Sequence, residues 1–297
     1  MSEPWTIITH ARCLDGMTAA WALARALPDA EVLACDPGRP PFSDAARLAG
    51  RRVVVADICF GRAWMDALAA VAADVVLLDH HQSAFDEVGD APYATRLRLD
   101  RSGAGLAWSW AEDERGARLG ADVARLVAYV EDNDLWRHAL PDARAIATAL
   151  LVEVDVSSFD RARPELDRMA AALGDPAPWV AAGEAILRAR ARDVQQAVER
   201  AQRVSLNGHD VLVVDTTPAS VSDVGHALAA SGPFGVCWYT RQRDGETIVH
   251  LGIRSLVRTG EALATARALG GGGHVQACGA ALPARVWFDI LLRGRWP

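Results

Sequence analysis

The sequence predicts an α/β protein whose first part contains a parallel sheet. Short apolar runs rich in valine and isoleucine alternate with longer alanine-rich runs of helical spacing, which is the pattern of repeated βαβ units. The strand-like runs are continuously apolar, as strands covered on both faces are. A length of 297 residues leaves room for a second, smaller α/β domain.

The first four strands and the helices between them can be assigned in chain order. Each predicted strand is apolar and β-branched, and each predicted helix is rich in alanine. The strands are predicted at Trp5 to Thr9, Glu31 to Cys35, Arg52 to Ala56 and Val75 to Leu78. The helices are predicted at Met17 to Leu27 and Arg62 to Val71.

Three of these strands run into residues that can bind metal ions. The first leads into H-A-R-C-L-D-G, with His10 and Asp15, the third ends at Asp57, and the fourth ends in D-H-H, Asp79 to His81. Ligands of open α/β sheets bind beyond the carboxyl ends of the strands, so we expect these side chains to converge there. Taken alone, D-H-H would equally suit two solvated loop histidines beside a capping aspartate.

The next segment carries weaker signals. Ala94 to Leu99 predicts a further, arginine-rich strand at the sheet edge. Ser102 begins a helix whose glycines could hold a phosphate, although a serine at this position more often caps the helix. An amphipathic helix from Ala121 to Glu131 leads into Asp132 and Asp134, where the helix dipole disfavours carboxylates. These two residues indicate either a cation partner or exposure to solvent.

The second half of the chain begins with helices and returns to strands. Helical spacing dominates from Ala143 to Arg200, with breaks at Val154 to Ser158 and Gly174 to Pro178. We predict a first domain at 1–178, a connecting helix at 179–200 and a second domain at 201–297. The strands predicted for the second domain are Val211 to Asp215, Phe234 to Thr240 and Ile248 to Ser255. Its predicted helices are Val224 to Ala230 and Thr259 to Leu269.

Composition excludes several classes of protein. All 31 basic residues are arginine, so the chain has neither a Walker A lysine nor a Schiff-base lysine. The five cysteines are scattered, as expected for reduced thiols in a cytoplasmic protein. We expect neither a signal peptide nor a membrane-spanning segment. The net charge of −7 suits divalent cations and argues against a partner such as long duplex nucleic acid.

The residues predicted at the sheet edge form a mixed set of carboxylate and imidazole donors. Such a set favours Mn²⁺, or Mg²⁺ or Co²⁺ as alternatives, over structural zinc. Asp57 comes alone from the central strand and is predicted to bridge two ions, a pair that activates water for in-line attack at phosphorus. Asp79 precedes the histidines and is predicted to orient an imidazole.

A second cluster lies near the end of the chain. A predicted helix runs into four glycines, Gly270 to Gly273, followed by His274. Glycines let backbone N–H groups approach an anion, so this segment predicts a phosphate-binding loop. Arg254, at the end of the strand L-G-I-R-S, could add a bidentate contact. A flexible loop after a helix C-cap is the alternative.

These clusters, in this order, resemble the motifs of the DHH phosphoesterase superfamily with its DHH-associated C-terminal domain, over nearly the whole chain. H-A-R-C-L-D-G is similar to the first metal motif, Asp57 to the second, D-H-H to the third and Asp132 to the fourth. G-G-G-G-H-V-Q-A-C-G-A is similar to the substrate-binding segment. The resemblance implies a parallel-sheet DHH domain, a helical linker and a smaller α/β domain, with the active site in the cleft between the domains.

The resemblance also implies roles for individual residues. His81 would contact the scissile phosphate, with Asp57 as the second catalytic residue, while the roles of Cys13, Asp79 and Asp134 stay open. The implied metal ligands are His10, Asp15, Asp57, His80 and Asp132. The implied substrate-binding residues are Arg254, Gly271, Gly272, Gly273 and His274.

One position departs from the family pattern. Many relatives carry an aspartate where this chain has Cys13, and the spacing from His10 is one residue shorter than in the oligoribonuclease type. A thiol binds Mn²⁺ poorly unless it is deprotonated, so we expect one of the two ion sites to be weakened or to prefer a softer ion.

The function expected from these features is a metal-dependent phosphodiesterase that hydrolyses short oligonucleotides or small nucleotides with a metal-activated water. A phosphomonoesterase or pyrophosphatase is one alternative, in which Arg96, Arg98 and Arg101 would serve a small, highly charged substrate such as pAp. A nucleotide-binding protein with weakened catalysis, suggested by Cys13, is another. The expected partners are a small nucleotide or a short single strand, without a membrane, and a homodimer is left open.

Overall fold

The computed structural model describes residues 3–94 and 96–293 and divides into two compact units, Met1–Leu187 and Arg188–Pro297. The division falls inside the helix Ala177–Arg200, which covers the connecting helix predicted at 179–200. The predicted domain boundaries at 178 and 200 stay predictions. Across the described ranges, every helix is too short or too polar to cross a lipid bilayer.

The first unit is built on a sheet of four parallel strands, as predicted. The strands are β1 Trp5–His10, β2 Glu31–Cys35, β3 Arg52–Ala56 and β4 Asp74–Leu78. Their order in the sheet is β2-β1-β3-β4, and all three neighbouring pairs run parallel. A parallel sheet brings all of its carboxyl ends to one edge, which is where the polar residues of the sequence motifs follow the strands.

Helices cover both faces of this sheet. The described helices of the first unit are α1 Leu14–Ala26, α2 Arg62–Val71, α3 Gln82–Val88, α4 Gly103–Ser109, α5 Ala121–Asp134, α6 Ala143–Glu153 and α7 Phe159–Ala172, and α8 Ala177–Arg200 continues into the second unit. A short 3₁₀ turn at Ala45–Leu48 and a π turn at Trp110–Glu114 complete it. The helical region predicted from Ala143 to Arg200 is confirmed as three helices, while α3 was not predicted.

Alternate strand residues enter two separate apolar layers. Ile7 and Val54 pack with α1 and with α4 to α7, whereas Ile8 and Val55 pack with α2 and α3 on the opposite face. All four side chains are fully buried. Burial on both faces explains why the strand sequences are continuously apolar rather than alternating. It also leaves the strand ends as the places where polar side chains of the sheet can gather.

The strand predicted at Ala94 to Leu99 is wrong. On either side of residue 95, which lies outside the described residues, the chain forms turns, with the amide of Ala94 donating to the carbonyl of Ala91 and that of Leu97 to Ala94. Leu97 is buried in the apolar layer below α2 and α3. A turn that buries this leucine and leaves its polar neighbours outside satisfies the same alternating pattern as an edge strand.

The second unit contains a mixed sheet of six strands in the order β5-β6-β7-β8-β10-β9. β6 and β7 run parallel, and the other neighbouring pairs run antiparallel. The strands are β5 Gln202–Leu206, β6 His209–Asp215, β7 Gly235–Arg243, β8 Glu246–Arg254, β9 Gly272–Gly273 and β10 Ala277–Pro283. The helices are α9 Val221–Ala229, α10 Glu261–Ala268 and α11 Ala284–Arg293, with a 3₁₀ turn at Pro218–Ser220. The three predicted strands and two predicted helices are confirmed, whereas β5, β10 and α11 were not predicted.

Candidate metal centre

The ends of β1, β3 and β4 bring two histidines to one carboxylate. His10 is the last residue of β1, Asp57 follows β3, and His80 lies two residues beyond β4. Nε2 of His80 lies 3.1 Å from Oδ1 of Asp57, and Nδ1 of His10 lies 3.3 Å from Oδ2 of the same side chain. Asp57 therefore meets a different histidine with each of its two oxygens.

Asp57 is a buried carboxylate that stays ionised. Its backbone adopts the left-handed conformation, with a φ of 60°, and its amide donates to the carbonyl of Leu78 at 2.9 Å. Burial alone would raise the pKa of Asp57, but its contacts with His10 and His80 hold that pKa well below the usual range. Aspartate tolerates the left-handed region better than most residues, so the bend that turns its side chain into the site is accessible to it.

Asp15 is fixed by the N-terminus of helix α4. The hydroxyl of Ser102 donates to Oδ1 of Asp15 at 2.7 Å, and the amides of Gly103 and Ala104 donate to its two oxygens at 2.7 and 3.1 Å. Ser102 also caps the helix by accepting from the amide of Gly105. This helix N-terminus thus binds a carboxylate of the protein itself, rather than the phosphate considered from the sequence.

Two glycines permit this close packing. A Cβ built on Gly16 would lie 2.6 Å from the carbonyl oxygen of His10 and 3.0 Å from Oδ2 of Asp57. A Cβ on Gly103 would overlap the Cβ of Asp57 and lie 2.9 Å from Oδ2 of Asp15. Larger residues at either position would push the carboxylates apart.

Asp134, rather than Asp132, joins the cluster. Oδ2 of Asp134 lies 3.5 Å from Nε2 of His80. The carboxylate of Asp132 instead accepts hydrogen bonds from the amides of Ala139 and Leu140 at 3.0 and 3.3 Å. The structure therefore does not bring the predicted ligand Asp132 to the site, because the loop after α5 folds back and takes up its two oxygens.

One nitrogen atom, Nε2 of His80, stands among three carboxylates. It lies 3.1 Å from Asp57, 3.5 Å from Asp134 and 3.8 Å from Asp15. Burial alone would lower the pKa of His80, but Asp57, Asp134 and Asp15 raise it to about 10. Burial raises the pKa of Asp15, and repulsion from Asp57 and Asp134 raises it further. With all three carboxylates ionised the cluster would hold more negative than positive charge, and a cation would relieve the imbalance.

Asp79 orients the second histidine of the D-H-H motif, as predicted for it. Its Oδ1 lies 2.8 Å from Nδ1 of His81 and accepts from the amides of His80 and His81 at 2.7 and 3.3 Å. Burial would raise the pKa of Asp79, but His81 holds it below the usual value. An Nδ1–H donated to a carboxylate fixes the tautomer and the orientation of the imidazole ring.

Cys13 lies beside the cluster but as a neutral thiol. Its sulfur belongs to a group with His10 and Asp57 whose donor atoms lie within 4.8 Å of one another. Burial and the nearby Asp57 raise the pKa of the Cys13 thiol well above its usual value. A protonated thiol offers little to a hard divalent ion.

The donor set fits a divalent cation. Nδ1 of His10 and Oδ2 of Asp57 are buried, and although 3.3 Å apart they form no hydrogen bond in the described part of the chain. Two separate groups of donors with atoms within 4.8 Å of one another are among those present, His10 with Cys13 and Asp57, and His80 with Asp15 and Asp134. Carboxylates and imidazoles suit Mn²⁺ and similar ions, and buried donors without partners are otherwise unfavourable.

Arg254 in the second unit has the features of an anion-binding residue. It ends β8, and its guanidinium donates to the carbonyl of Ile253 at 3.0 Å and to the hydroxyl of Ser222 at 3.1 Å. Within residues 3–94 and 96–293 it forms no ion pair with a carboxylate. Burial lowers the pKa of Arg254. A buried guanidinium with neutral partners is stabilised by a bound anion.

The glycines Gly270 to Gly273, predicted as a phosphate-binding loop, mainly end a helix and pair with a neighbouring strand. The amides of Gly270 and Gly271 donate to Arg267 and Ala266 and complete the end of α10, so Gly271 does not present its amide to a phosphate as predicted. Gly273, at a φ of 126°, pairs with β10. A Cβ on it would lie 2.9 Å from the Cα of Cys278.

His274 nevertheless lies close to Arg254 in the fold. The amide of His274 donates to the carbonyl of Ala277 at 2.9 Å, and Ala277 pairs directly with Arg254 between β10 and β8. The predicted substrate-binding residues of this unit therefore meet at one end of its sheet, with the exception of the Gly271 amide.

The three arginines considered for a highly charged substrate are paired with carboxylates. Arg96 contacts Glu114 at 2.5 Å, and both Arg98 with Asp100 and Arg101 with Glu131 form pairs at 2.9 Å. Their charges are therefore already balanced within the protein.

Sequence reasoning missed two features of the site, the helix N-terminus that holds Asp15 and the place of Asp134 in the cluster instead of Asp132. The role of Asp134 could have been found from the sequence. Val123, Val127, Val130 and Asp134 recur at intervals of four, three and four along α5, so the exposed Asp134 lies on the same face of this helix as three buried valines. The contact between the N-terminus of α4 and Asp15 could not, because Ser102 and Asp15 are 87 residues apart in the chain.

No protein-family model matches the chain, and no curated protein matches it either. Among solved structures, RecJ from Thermus thermophilus in complex with Mn²⁺ is similar at 18% identity and a TM-score of 0.51, over 97% of this chain and 51% of RecJ. An exopolyphosphatase-related protein from Bacteroides fragilis is similar at 12% identity and a TM-score of 0.52, over 94% of this chain and 86% of that one.

The two similarities extend over 97% and 94% of this chain and so cover both units. At this low sequence identity, the similarities establish the fold and nothing about activity. The chain thus has the fold of RecJ and of the exopolyphosphatase-related protein, which is the fold predicted by its resemblance to the DHH phosphoesterase superfamily.

Proposed function

We propose that this protein is a metal-dependent phosphodiesterase that hydrolyses short oligonucleotides or small nucleotides. The observation that carries the proposal is the convergence of Asp15, Asp57 and Asp134 on Nε2 of His80, at distances of 3.1 to 3.8 Å. Three carboxylates gathered around one buried imidazole, with Asp15 and Asp57 themselves buried, are unfavourable unless a cation balances them. Their position at the carboxyl ends of parallel strands is the usual place for a site in this class of fold.

The proposed metal ligands are four of the predicted residues and one replacement. They are His10, Asp15, Asp57, His80 and, in place of Asp132, Asp134. Asp57 supports two ion positions because its oxygens face different donor groups. A bound divalent ion supplies Lewis acidity and a water of lowered pKa. Mn²⁺ is the proposed ion because the donors are carboxylates and imidazoles.

The chain's own residues then position the substrate. His81, held at Nδ1 by Asp79, directs Nε2 to an oxygen of the scissile phosphate and donates a hydrogen bond to it. In the second unit, Arg254 and His274, with the strand Gly272–Gly273 beside them, are the proposed binding residues for a phosphate group. Asp15 keeps its orientation through the N-terminus of α4, so the carboxylate does not have to reorganise when a cation binds.

Hydrolysis of a dinucleotide tests the proposal. Wild-type protein with Mn²⁺ is expected to cleave the dinucleotide pApA and to lose this activity in EDTA. Asp57→Asn is expected to lower kcat/KM by more than about 100-fold, because even groups behind a metal ligand contribute roughly 10- to 100-fold. Equal rates for wild type and Asp57→Asn would contradict the mechanism.

A matched control and a substrate panel sharpen the result. Asp36→Asn removes another aspartate that follows a strand of the same sheet, but one that pairs with Arg12 outside the cluster, and it should keep wild-type activity. Faster hydrolysis of pyrophosphate or pAp than of pApA would favour the phosphomonoesterase or pyrophosphatase alternative. Nucleotide binding without any hydrolysis would favour the weakened, binding-only alternative.

A further inference from the structure

The loop that follows Asp134 carries an exposed tryptophan two residues beyond a residue of the candidate metal centre. We propose that Trp136 stacks on a nucleobase of the substrate and so makes the protein select nucleotides over simple phosphate compounds. The inference rests on the proposed function and names the class of substrate for that same site. It is carried by the construction of the loop, by the exposure of the indole and by the distance along the chain to the metal cluster.

The loop is held in one conformation by Asp132. The backbone carbonyl of Asp132 accepts from the amides of Arg137 and His138 at 2.9 and 3.5 Å, and its carboxylate accepts from those of Ala139 and Leu140. Four consecutive amides therefore converge on one residue. The buried Asp132, predicted as a metal ligand, acts instead as the anchor of this loop.

The anchored backbone is unfavourable by itself. Trp136 and His138 adopt left-handed conformations, with φ values of 53° and 48°, which bulky side chains rarely adopt. This strain does not serve to bury the indole, because Trp136 remains 38% exposed. Backbone strain that holds a large apolar side chain toward solvent points to a ligand for that side chain.

The geometry around the indole suits a flat ring. The imidazole of His138 packs against Trp136 edge-on, with ring centroids 4.6 Å apart and an interplanar angle of 61°. This contact orients the indole ring. Aromatic rings oriented in this way stack on nucleobases with little dependence on which base is present.

The loop lies within reach of the reacting phosphate. Trp136 is two residues beyond Asp134, whose Oδ2 lies 3.5 Å from Nε2 of His80. Two residues span at most about 7 Å of chain. A nucleotide carries its base one sugar away from its phosphate, so a nucleotide with its phosphate at the cluster can reach Trp136 with its base.

The test compares two substrates that differ only in their bases. Wild type and Trp136→Ala are assayed with Mn²⁺ on pApA and on the matched diester whose riboses carry no base. We expect Trp136→Ala to raise KM for pApA by about 5- to 100-fold, the usual contribution of one stacked base, and to leave the abasic substrate unchanged. Trp136→Phe should retain most of the preference for pApA, and Leu151→Ala, which removes another exposed apolar side chain, should behave as wild type.

Equilibrium binding measurements distinguish a failure of this inference from a failure of the proposed function. If the wild type hydrolyses neither substrate, the proposed function fails, and equilibrium binding of both compounds in EDTA still decides the role of Trp136. Weaker binding of pApA alone by Trp136→Ala supports stacking. Equal losses on both compounds, with lower stability or lower Mn²⁺ affinity, would show that Trp136 only packs against protein. Unchanged binding of both would overturn the inference as well.

Discussion

Asp132 and Asp134 stand two positions apart at the end of one helix, yet their carboxylates face different surroundings. Asp134 approaches His80, whereas Asp132 holds the following loop through the amides of Ala139 and Leu140. The sequence indicates either a cation partner or exposure to solvent for the carboxylates at this helix end. Motif similarity selects the first of them, Asp132, as the metal ligand. Helical periodicity selects the second, because Asp134 lies on the same face of the helix as the buried Val127 and Val130.

Alanine substitutions separate these two roles. Asp134→Ala should lower Mn²⁺ affinity by at least about 10- to 100-fold. Residues that only hydrogen-bond to a metal ligand already contribute this much to metal affinity, and a direct ligand should contribute no less. Asp132→Ala should leave Mn²⁺ affinity nearly unchanged and lower the free energy of unfolding by about 1–3 kcal/mol, because two amides lose their acceptor. Isothermal titration with Mn²⁺ and chemical denaturation measure the two effects. The reverse pattern would restore Asp132 as the ligand.

At the scale of the element, the first turn of α4 acts as part of the metal centre without supplying a ligand. Ser102 and two backbone amides hold Asp15, and Gly103 lets the helix approach Asp57 closely. The strands of the first unit were predictable because each is a short apolar run between polar ends. The approach of α4 was not, because it depends on packing between distant segments that leave no local pattern.

Alanine scanning of glycines tests this element. Gly103→Ala places a Cβ 2.9 Å from Oδ2 of Asp15 and against the side chain of Asp57. We expect a loss of about 1–3 kcal/mol in the free energy of unfolding, which is the usual cost of overpacking, together with weaker Mn²⁺ binding. Chemical denaturation and metal titration measure both.

Gly61→Ala is the matched control for this experiment. Gly61 precedes α2, its φ is −54°, and nothing lies within 4 Å of a Cβ built on it. This change should be neutral or slightly stabilising, because alanine restricts the unfolded chain. A Gly103→Ala protein as stable as Gly61→Ala would show that α4 can move away from the cluster at little cost.

At the scale of the whole molecule, the parallel first sheet and the change of pattern after the long helix could be read from the sequence. The strand order of the second sheet could not. β6 and β7 pair in parallel while their neighbours pair in the opposite sense, and β5 and β10 carry polar or small residues that hide their strand character. Hydrophobic pattern identifies strands that are buried, but the choice of pairing partner depends on contacts across the whole unit.

Metal binding should stabilise the protein measurably. At a Mn²⁺ concentration about 100 times Kd, binding to the folded state alone adds about 2.7 kcal/mol to the free energy of unfolding. Calorimetry should show a higher Tm with Mn²⁺, reversal by EDTA and little shift for Asp57→Asn. The variant Asp36→Asn should shift as the wild type does. A shift of equal size in Asp57→Asn would place the ion elsewhere in the molecule.

The left-handed backbone at Asp57 has a practical consequence. Asparagine is, with aspartate, among the few residues that adopt this conformation readily, so Asp57→Asn can remove one negative charge and keep the bend between β3 and the site. If the proposed function holds, a folded but inert variant is then at hand for crystallography with an intact dinucleotide. Such a trapped complex would display the path of an uncleaved strand across the protein surface.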